Sequence, residues 1–593
     1  MVKSRNAGNN SVSPGLANLI DSCCWSVRNA FSTCPALSLI ATVVTVLISL
    51  VPSAQTVFVS RMVSHIADPG RAMFWACATG LVVAGYLAAQ QIMYTVQRMV
   101  QISVGARCHE RIDHVYAALD PREIANPDVI ELGRQARESI DSGKLPMQPV
   151  SLLSTLFSLL VCGSLTVTLW RTSWIAALLV LATLLPLTVS MMFYSKEDAK
   201  RWPGITTEQR AAEYRESMLT YQSTAQELSL YDASDTVADW ASRHRRGYRD
   251  LRLGLESLSI ASDGAAGIVS VVLLTGALAS MIASGASASM IAGGTTGILS
   301  GIIATSNVGY SIGELLTSST AVAAFRRFIG LDVHAPHARM KPAAPHADSI
   351  AVRNMDVFYP NSATATVTGV SLNLRKGEMV AFVGANGAGK TTTVKGLLGM
   401  LDVRCDALEI DGVDMTGSGY SQRHRYFGVV PQEYGRYELT VRDNLSLGDR
   451  QARDDDQRLW RALEGARANG VVAGLPDGLD SQLGNQWGGA GLSGGEWQRL
   501  ALARMGLRNA PIRILDEATS NVDAETEESL FKDLRDSAKD YITIVVSHRV
   551  WTLRDMDRIY VFDHGRIVET GTYEQLSHEG TRFAELFSFQ EHE

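Results

Sequence analysis

The sequence predicts two fused parts: a membrane α-helical domain of six transmembrane helices with long cytoplasmic extensions, then a C-terminal α/β domain built around a phosphate-binding loop (P-loop). Three observations predict it. Of the 593 residues, 46% are hydrophobic and only 19% are charged, against roughly 25% charged in soluble domains. The deficit lies in the first part of the chain, where six apolar segments are each long enough to cross a bilayer. In the last part, an apolar run at 379–383 leads into Gly384-Ala385-Asn386-Gly387-Ala388-Gly389-Lys390-Thr391-Thr392, and a helix pattern follows over 394–401. That is the strand–loop–helix context the pattern G-x-x-x-x-G-K-[ST] requires.

Residues 1–35 form an N-terminal tail and an interfacial helix. Residues 1–14 are polar and rich in Gly, Asn and Ser, which predicts disorder. No short apolar run with a cleavage site follows directly, so this is no secretory signal. Over 16–31, Leu16, Leu19, Ile20, Trp25, Val27 and Phe31 recur among polar residues. Such a helix suits the cytoplasmic membrane surface. The seven Cys, Cys23 and Cys24 among them, lack metal-ligand spacing and read as free thiols.

Residues 36–330 form the transmembrane domain. Its spans fall at 36–59, 73–96, 147–169, 174–194, 258–283 and 287–316. Short links join them in pairs at 61–70, 171–173 and 285–286. The other two links, 97–146 and 195–257, are long and rich in Arg and Lys. The positive-inside rule makes the long links cytoplasmic, and both termini with them. Residues 208–230 hold good helix formers and few breakers. The bends at 121–127 and 229–232 read as coupling segments that seat in grooves on the nucleotide-binding part. Residues 331–349 are a linker with Pro336, Pro342, Pro345, His334, His337 and His346. The three His lack paired spacing and an acidic or Cys partner, so the segment reads as solvated chain rather than a metal site. The α/β domain occupies 350–593.

In the loop, the glycines let backbone N–H groups curl around phosphates and the helix N-terminus adds a positive dipole. Gly384, Asn386, Gly387, Ala388, Gly389 and Thr392 build the cradle. Lys390 neutralises β- and γ-phosphates, and the Thr391 hydroxyl holds Mg²⁺. Further motifs follow in order: Val429-Val430-Pro431-Gln432-Glu433, Leu492-Ser493-Gly494-Gly495-Glu496-Trp497-Gln498-Arg499, Ile512-Arg513-Ile514-Leu515-Asp516-Glu517, Ser520-Asn521-Val522-Asp523 and Ser547-His548-Arg549.

This ordered set resembles the nucleotide-binding domain of ATP-binding cassette (ABC) proteins. The resemblance implies ATP and Mg²⁺ as ligands and ATP hydrolysis as the reaction. Tyr359 takes the place of an aromatic that stacks on adenine, with Phe358 as a core alternative. Gln432 matches the glutamine that reaches Mg²⁺ or the attacking water. Asp516 would contact Mg²⁺, Glu517 would act as general base, and His548 would hold the γ-phosphate and the water in line. Phosphoryl transfer asks mainly for such positioning and charge neutralisation. Ser493, Gly494, Gly495 and Glu496 form the signature, which in this family caps the nucleotide of a partner domain. Three departures stand out. Glu496 replaces the commoner Gln and adds a negative charge near the nucleotide, Arg513 interrupts an apolar strand, and Asn521-Val522 replaces Ala-Leu.

Six spans and one such domain resemble the half-transporters of the type I (type IV-fold) ABC exporters. The resemblance implies a dimer with two composite sites, a homodimer where both chains are this one, with a heterodimer left open. Residues 225–231 and Trp487-Gly488-Gly489 give a fainter similarity to bacterial exporters of lantibiotics and other modified peptides. Too few residues precede the first span for a peptidase domain. Gln90, Gln91, Tyr94, Asp263, Asn307, Tyr310 and Glu314 are the polar intramembrane candidates, and Gly293, Gly294, Gly297 and Gly301 point to close helix packing ahead of the alternative, a bendable helix. The expected activity is ATP-driven export, across the bacterial cytoplasmic membrane, of a small amphipathic cargo: a peptide or a hydrophobic natural product. A lipid flippase, a multidrug pump, an importer of siderophore or cobalamin-like cargo and a regulatory ATPase without transport remain alternatives. The net charge of -7 carries no nucleic-acid signature.

Overall fold

The computed structural model describes residues 16–170, 172–331, 346–360, 362–518, 524–547 and 549–587. The tail 1–14, most of the linker with His334 and His337, residues 520–523 and His548 lie outside them. The chain divides into two compact units. One comprises Met1–Ala117 and Ile130–Asp332, the other Ala118–Val129 and Val333–Glu593.

The helices run in order: α1 (Leu16–Thr33), α2 (Pro35–Ser49), α3 (Val51–Ser64), α4 (Pro69–Ala118), α5 (Pro121–Ile124), α6 (Pro127–Asp141), α7 (Lys144–Trp170), α8 (Trp174–Ala182), α9 (Leu184–Thr220), α10 (Gln222–Leu230), α11 (Ser234–Ala283) and α12 (Ala288–Ile329). Among the described residues, Pro35–Ser64, Pro69–Ala118, Lys144–Trp170, Trp174–Asp198 and Ser234–Ala283 are long and apolar enough to cross a membrane. The sixth expected span lies on α12, which opens with the shorter apolar stretch Ala288–Leu299. The first span is divided at Leu50, and Pro near the start of α3 suits a fresh helix start. The expected helix over 208–230 breaks at Tyr221, whose backbone is extended.

In the first unit, α9 and α11 run antiparallel. Arg252 pairs with Asp198 (3.5 Å), His244 with Glu208 (2.8 Å) and Arg245 with Glu216 (2.5 Å). A β-carbon on Gly293 would lie 2.5 Å from the Thr56 carbonyl oxygen, and one on Gly297 would lie 2.7 Å from Thr56 Oγ1. Small residues therefore let α12 approach α3 closely, as expected. Gly301 and Asn307 lie on α12, and the Asn307 side chain is outside the described set.

Helix α1 is amphipathic, and one row of its polar residues faces inward while Asp21 and Arg28 stay exposed. Ser22, Ser26 and Asn29 are buried. Ser26 Oγ donates to Gln148 Oε1 of α7, and Gln148 Nε2 donates to Ser22 Oγ (3.3 Å). Ile20, Cys24, Val27 and Phe31 form the exposed stripe.

The second unit contains two sheets. Strands β1 (Ser349–Phe358), β2 (Val367–Arg375), β3 (Met379–Gly384), β4 (Asp402–Arg404), β5 (Ala407–Ile410), β6 (Val413–Asp414), β7 (Phe427–Val430), β8 (Ile512–Asp516), β9 (Ile542–Val546), β10 (Arg558–Asp563) and β11 (Arg566–Gly571) are joined by helices, of which α13 is Lys390–Leu398. The larger sheet has the order β11-β10-β3-β9-β8-β7, parallel from β10 to β7. The antiparallel sheet has the order β2-β1-β5-β6, with β4 also on β1. Strand β3 is buried on both faces. Met379, Ala381 and Val383 join one core, and Val380 and Phe382 the other. That explains its continuous apolar run.

Candidate functional site

The loop between β3 and α13 curls because its glycines allow it. Gly384 has φ 149° and Gly389 φ 103°. A β-carbon at Gly384 would sit 2.3 Å from the Phe562 carbonyl oxygen, and one at Gly389 would sit 2.8 Å from Val367 Cγ2. Both positions therefore require glycine twice over, by conformation and by space. Ala385, Asn386 and Gly387 form the exposed rim, while Ala388, Gly389, Lys390 and Thr392 are buried.

The Lys390 ammonium donates to the carbonyls of Gly384 (2.8 Å) and Ala385 (3.1 Å). Burial pushes its pKa down, while Glu517 and Asp516 oppose that shift. Thr391 Oγ1 donates to Asp516 Oδ1 at 3.2 Å. Burial pushes the Asp516 pKa up, the Thr391 hydrogen bond pulls it down and Glu517 pushes it up again. Asp516 is the last residue of β8 and Glu517 turns away with φ 50°. The Glu517 N–H donates to the Val546 carbonyl of β9 (3.1 Å), and its carboxylate Oε2 accepts from Gln432 Nε2 (2.8 Å). Gln432, Glu517, Asp516, Thr391 and Lys390 thus form one connected cluster at the ends of parallel strands. Position 517 is a non-glycine residue in the left-handed region, the kind of strain that collects at functional sites. His548 follows β9 but lies outside the described residues.

The hard oxygens of Thr391 and Asp516 fit Mg²⁺, which favours oxygen ligands and leaves room for water and phosphate. The rim N–H groups, the start of α13 and Lys390 fit a polyphosphate. Tyr359 is 41% exposed, and its hydroxyl lies 3.4 Å from Thr392 Oγ1. Phe358 packs under the Arg404 guanidinium, 4.7 Å from its ring centre. The exposed ring beside the cradle is therefore Tyr359.

The signature begins the helix Gly494–Arg508, with Ser493 as its cap. The Ser493 hydroxyl accepts from the Glu496 N–H (3.3 Å), and Glu496 Oε2 accepts from the Ser493 N–H (2.7 Å). Glu496 is thus turned back into a capping box, an effect its charge alone did not suggest. Among the described residues, no hydrogen bond or ion pair joins Ser493, Gly494, Gly495 or Glu496 to the cradle. Arg513 does not disrupt β8, because its guanidinium lies over the Tyr541 ring at 3.3 Å.

Three contributors escaped the sequence reading. Arg423, only 1% exposed, donates to the carbonyls of Gly396 (3.2 Å), Met415 (2.8 Å) and Thr416 (3.2 Å) and holds the end of α13. Tyr434 Oη donates to the Gly494 carbonyl (2.9 Å). Arg504 Nη2 donates to the Gly435 carbonyl (2.8 Å). Only proximity to Gln432 in the chain marks Tyr434, and nothing local marks the two Arg. In the same unit, Arg122 of α5 donates to Asp402 Oδ1 (3.2 Å), beside a cavity of about 110 Å³ lined by Gly399, Thr416, Gly419 and Arg423.

Residues 367–520 match the family model described as ABC transporter. The chain is 30% identical over 479 residues to the ATP-dependent lipid A-core flippase of Xanthomonas oryzae pv. oryzae (strain MAFF 311018), covering 77% of this chain and 75% of that one. It is 26% identical over 482 residues to the subtilin transport ATP-binding protein of Bacillus subtilis, covering 80% and 78%. Its fold matches a solved bacterial Atm1-family ABC exporter with ATP bound. The TM-score is 0.76 at 22% identity, over 93% of this chain and 98% of that one.

Proposed function

This chain belongs to the ABC transporter family, and we propose that it is a half-transporter whose homodimer exports a small amphipathic cargo by alternating access, driven by ATP hydrolysis at two composite sites. The chain is a multi-pass membrane protein whose ATPase domain drives export. The observation that carries the finer reading is the cluster just described. One chain joins Thr391 to Asp516 and Gln432 to Glu517 by hydrogen bonds beside Lys390, yet among the described residues no hydrogen bond or ion pair joins its own signature to the cradle. A second copy supplies the missing signature.

In this reading Lys390 and the rim N–H groups bind the ATP phosphates, and Tyr359 supports the adenine. Thr391, Asp516 and Gln432 hold Mg²⁺, which supplies positive charge to the phosphates. Glu517 takes the proton of the attacking water, and His548 orients that water. Gln432 keeps the Glu517 carboxylate aimed until substrate arrives. The termini and the ATPase domain are cytoplasmic. Helix α5 and the turn after α10, where Leu230 and Tyr231 are 85% and 72% exposed, couple the ATPase to the membrane helices. The exposed apolar stripe of α1 lies in the cytoplasmic membrane surface.

For cargo, we favour a peptide or hydrophobic natural product. Intramembrane charge is scarce, and the Asp263 carboxylate already accepts from Ser190 (2.6 Å) and Ser259 (2.9 Å), a helix-to-helix clamp rather than an open cargo contact. Similarity to the subtilin transport protein points the same way. A lipid flippase is the second reading, favoured by the lipid A-core flippase similarity. ATPase activity in lipid nanodiscs tests both. Stimulation by one peptide class supports the first reading, and stimulation by lipid alone supports the second.

A further inference from the structure

The stretch after β7 joins two parts of the ATPase machinery. Gln432 Nε2 donates to Glu517 Oε2 (2.8 Å). Two residues on, Tyr434 Oη donates to the carbonyl of Gly494 (2.9 Å), the first residue of the signature helix. One residue further, the Gly435 carbonyl accepts from Arg504 Nη2 (2.8 Å), and the Arg504 guanidinium covers the Tyr437 ring at 4.7 Å. Arg504 lies on the signature helix too. The segment 432–437 is therefore tied to the candidate base by a hydrogen bond, and to the helix that starts with the signature by two hydrogen bonds and a ring contact.

The Tyr434 bond has a chemical consequence. The Gly494 carbonyl and the Gly495 N–H belong to one peptide unit. That N–H is among the first-turn donors that no intrahelical carbonyl accepts. A hydroxyl donating to the carbonyl polarises the peptide and strengthens the N–H as a donor. It also fixes the direction in which the N–H points. Gln432 and Tyr434 are at most about 7 Å apart along the chain, so a shift of Glu517 against Gln432 is felt at the signature.

We propose that Tyr434 is a positioning residue that orients the Gly494–Gly495 peptide of the signature and so links the Glu517 side of one ATP site to the donor side of the other. The proposal rests on the composite-site reading above. Tyr434 acts through Gly494, and its effect falls on the ATP held by the partner chain.

The test uses full-length dimers in nanodiscs, assembled from two differently tagged chains, one wild type and one Tyr434→Phe. Vanadate trapping of a photoreactive ATP analogue reports which chain's cradle holds the trapped nucleotide. Losing one neutral hydrogen bond to the signature predicts about a fivefold fall in labelling of the wild-type chain, with the Phe-bearing chain labelled within about 1.5-fold of normal. Loss on the Phe-bearing chain instead, equal loss on both, or no loss overturns the proposal. A melting temperature unchanged by Tyr434→Phe accompanies the expected pattern, and a lowered one with equal losses marks a merely structural role. A parallel dimer with Ser493→Arg in one chain tests the composite site alone. If that control abolishes labelling of its own chain rather than its partner, the composite-site reading fails, whatever Tyr434→Phe does.

Discussion

Glu517→Gln isolates the proposed general base with the least disturbance to structure. Glu517 has φ 50°, and glutamine is no more branched at Cβ than glutamate, so the backbone strain is unchanged. The backbone N–H to Val546 is kept. The new side-chain carbonyl still accepts from Gln432, so that contact survives as a neutral hydrogen bond instead of a charge-assisted one. The change removes basicity and one negative charge beside Lys390 and Asp516. Glu517 is half-buried, and exchanging one charge-assisted hydrogen bond for a neutral one of the same shape alters stability by about 1 kcal/mol. A positioned general base contributes about 10²- to 10⁴-fold to rate, or about 2.7–5.4 kcal/mol at 1.36 kcal/mol per tenfold. The variant is therefore expected to bind ATP as well as wild type or better, to melt within a few degrees of it, and to hydrolyse at least a hundredfold more slowly. Phosphate release in nanodiscs, equilibrium binding of a fluorescent ATP analogue and a thermal melt measure the three quantities on one preparation. Turnover within threefold of wild type refutes Glu517 as base. Lost ATP binding would place Glu517 in the cradle instead.

Three further outcomes are expected. Arg423→Met removes three hydrogen bonds from a side chain only 1% exposed; the Gly396 and Met415 carbonyls keep the N–H groups of Gly399 and Ser418, while the Thr416 carbonyl loses its Arg423 donor. A loss of about 3–5 kcal/mol follows, read as a melting temperature lowered by roughly 10 °C, and an unchanged melt contradicts it. Burial pushes the His424 pKa below its ordinary value, and its Nδ1 lies 2.9 Å from the Tyr420 carbonyl oxygen. Its neutral form is favoured on folding, so its stabilisation is full above about pH 6.5 and is lost as pH falls through the lowered folded value. The wild-type melt should drop between pH 7 and 5 by more than that of His424→Gln, and parallel curves would remove His424 from the account. Gly293→Val drives a β-carbon to 2.5 Å from the Thr56 carbonyl oxygen. Backbone cannot swing aside, so α12 is forced off α3 at a cost of about 1–3 kcal/mol, seen as a lower melting temperature and yield in detergent. Full retention of both would show that the two helices part freely.

Much of this protein follows from its sequence alone. Spanning helices announce themselves because lipid demands long apolar runs with every backbone group satisfied internally. The cradle is legible because phosphate binding needs glycines, Lys390 and Thr391 at fixed spacing on one strand–loop–helix unit. Local rules also place the Ser493 cap. Tertiary structure decided what is built across distance. Lys390 and Glu517 are far apart in sequence and meet because β3, β9 and β8 are neighbours in one parallel sheet. The inward polar row of α1 depends on Gln148, which is remote in sequence, so amphipathicity alone gave the stripe but not its direction. The Glu496 carboxylate on the Ser493 N–H, by contrast, is a local contact three residues apart, the pattern of a capping box. Arg423 carries no local signature, and only its place two residues after Gln432 marks Tyr434. Their partners are backbone carbonyls, which every residue has, so only the folded chain reveals which carbonyl each one serves.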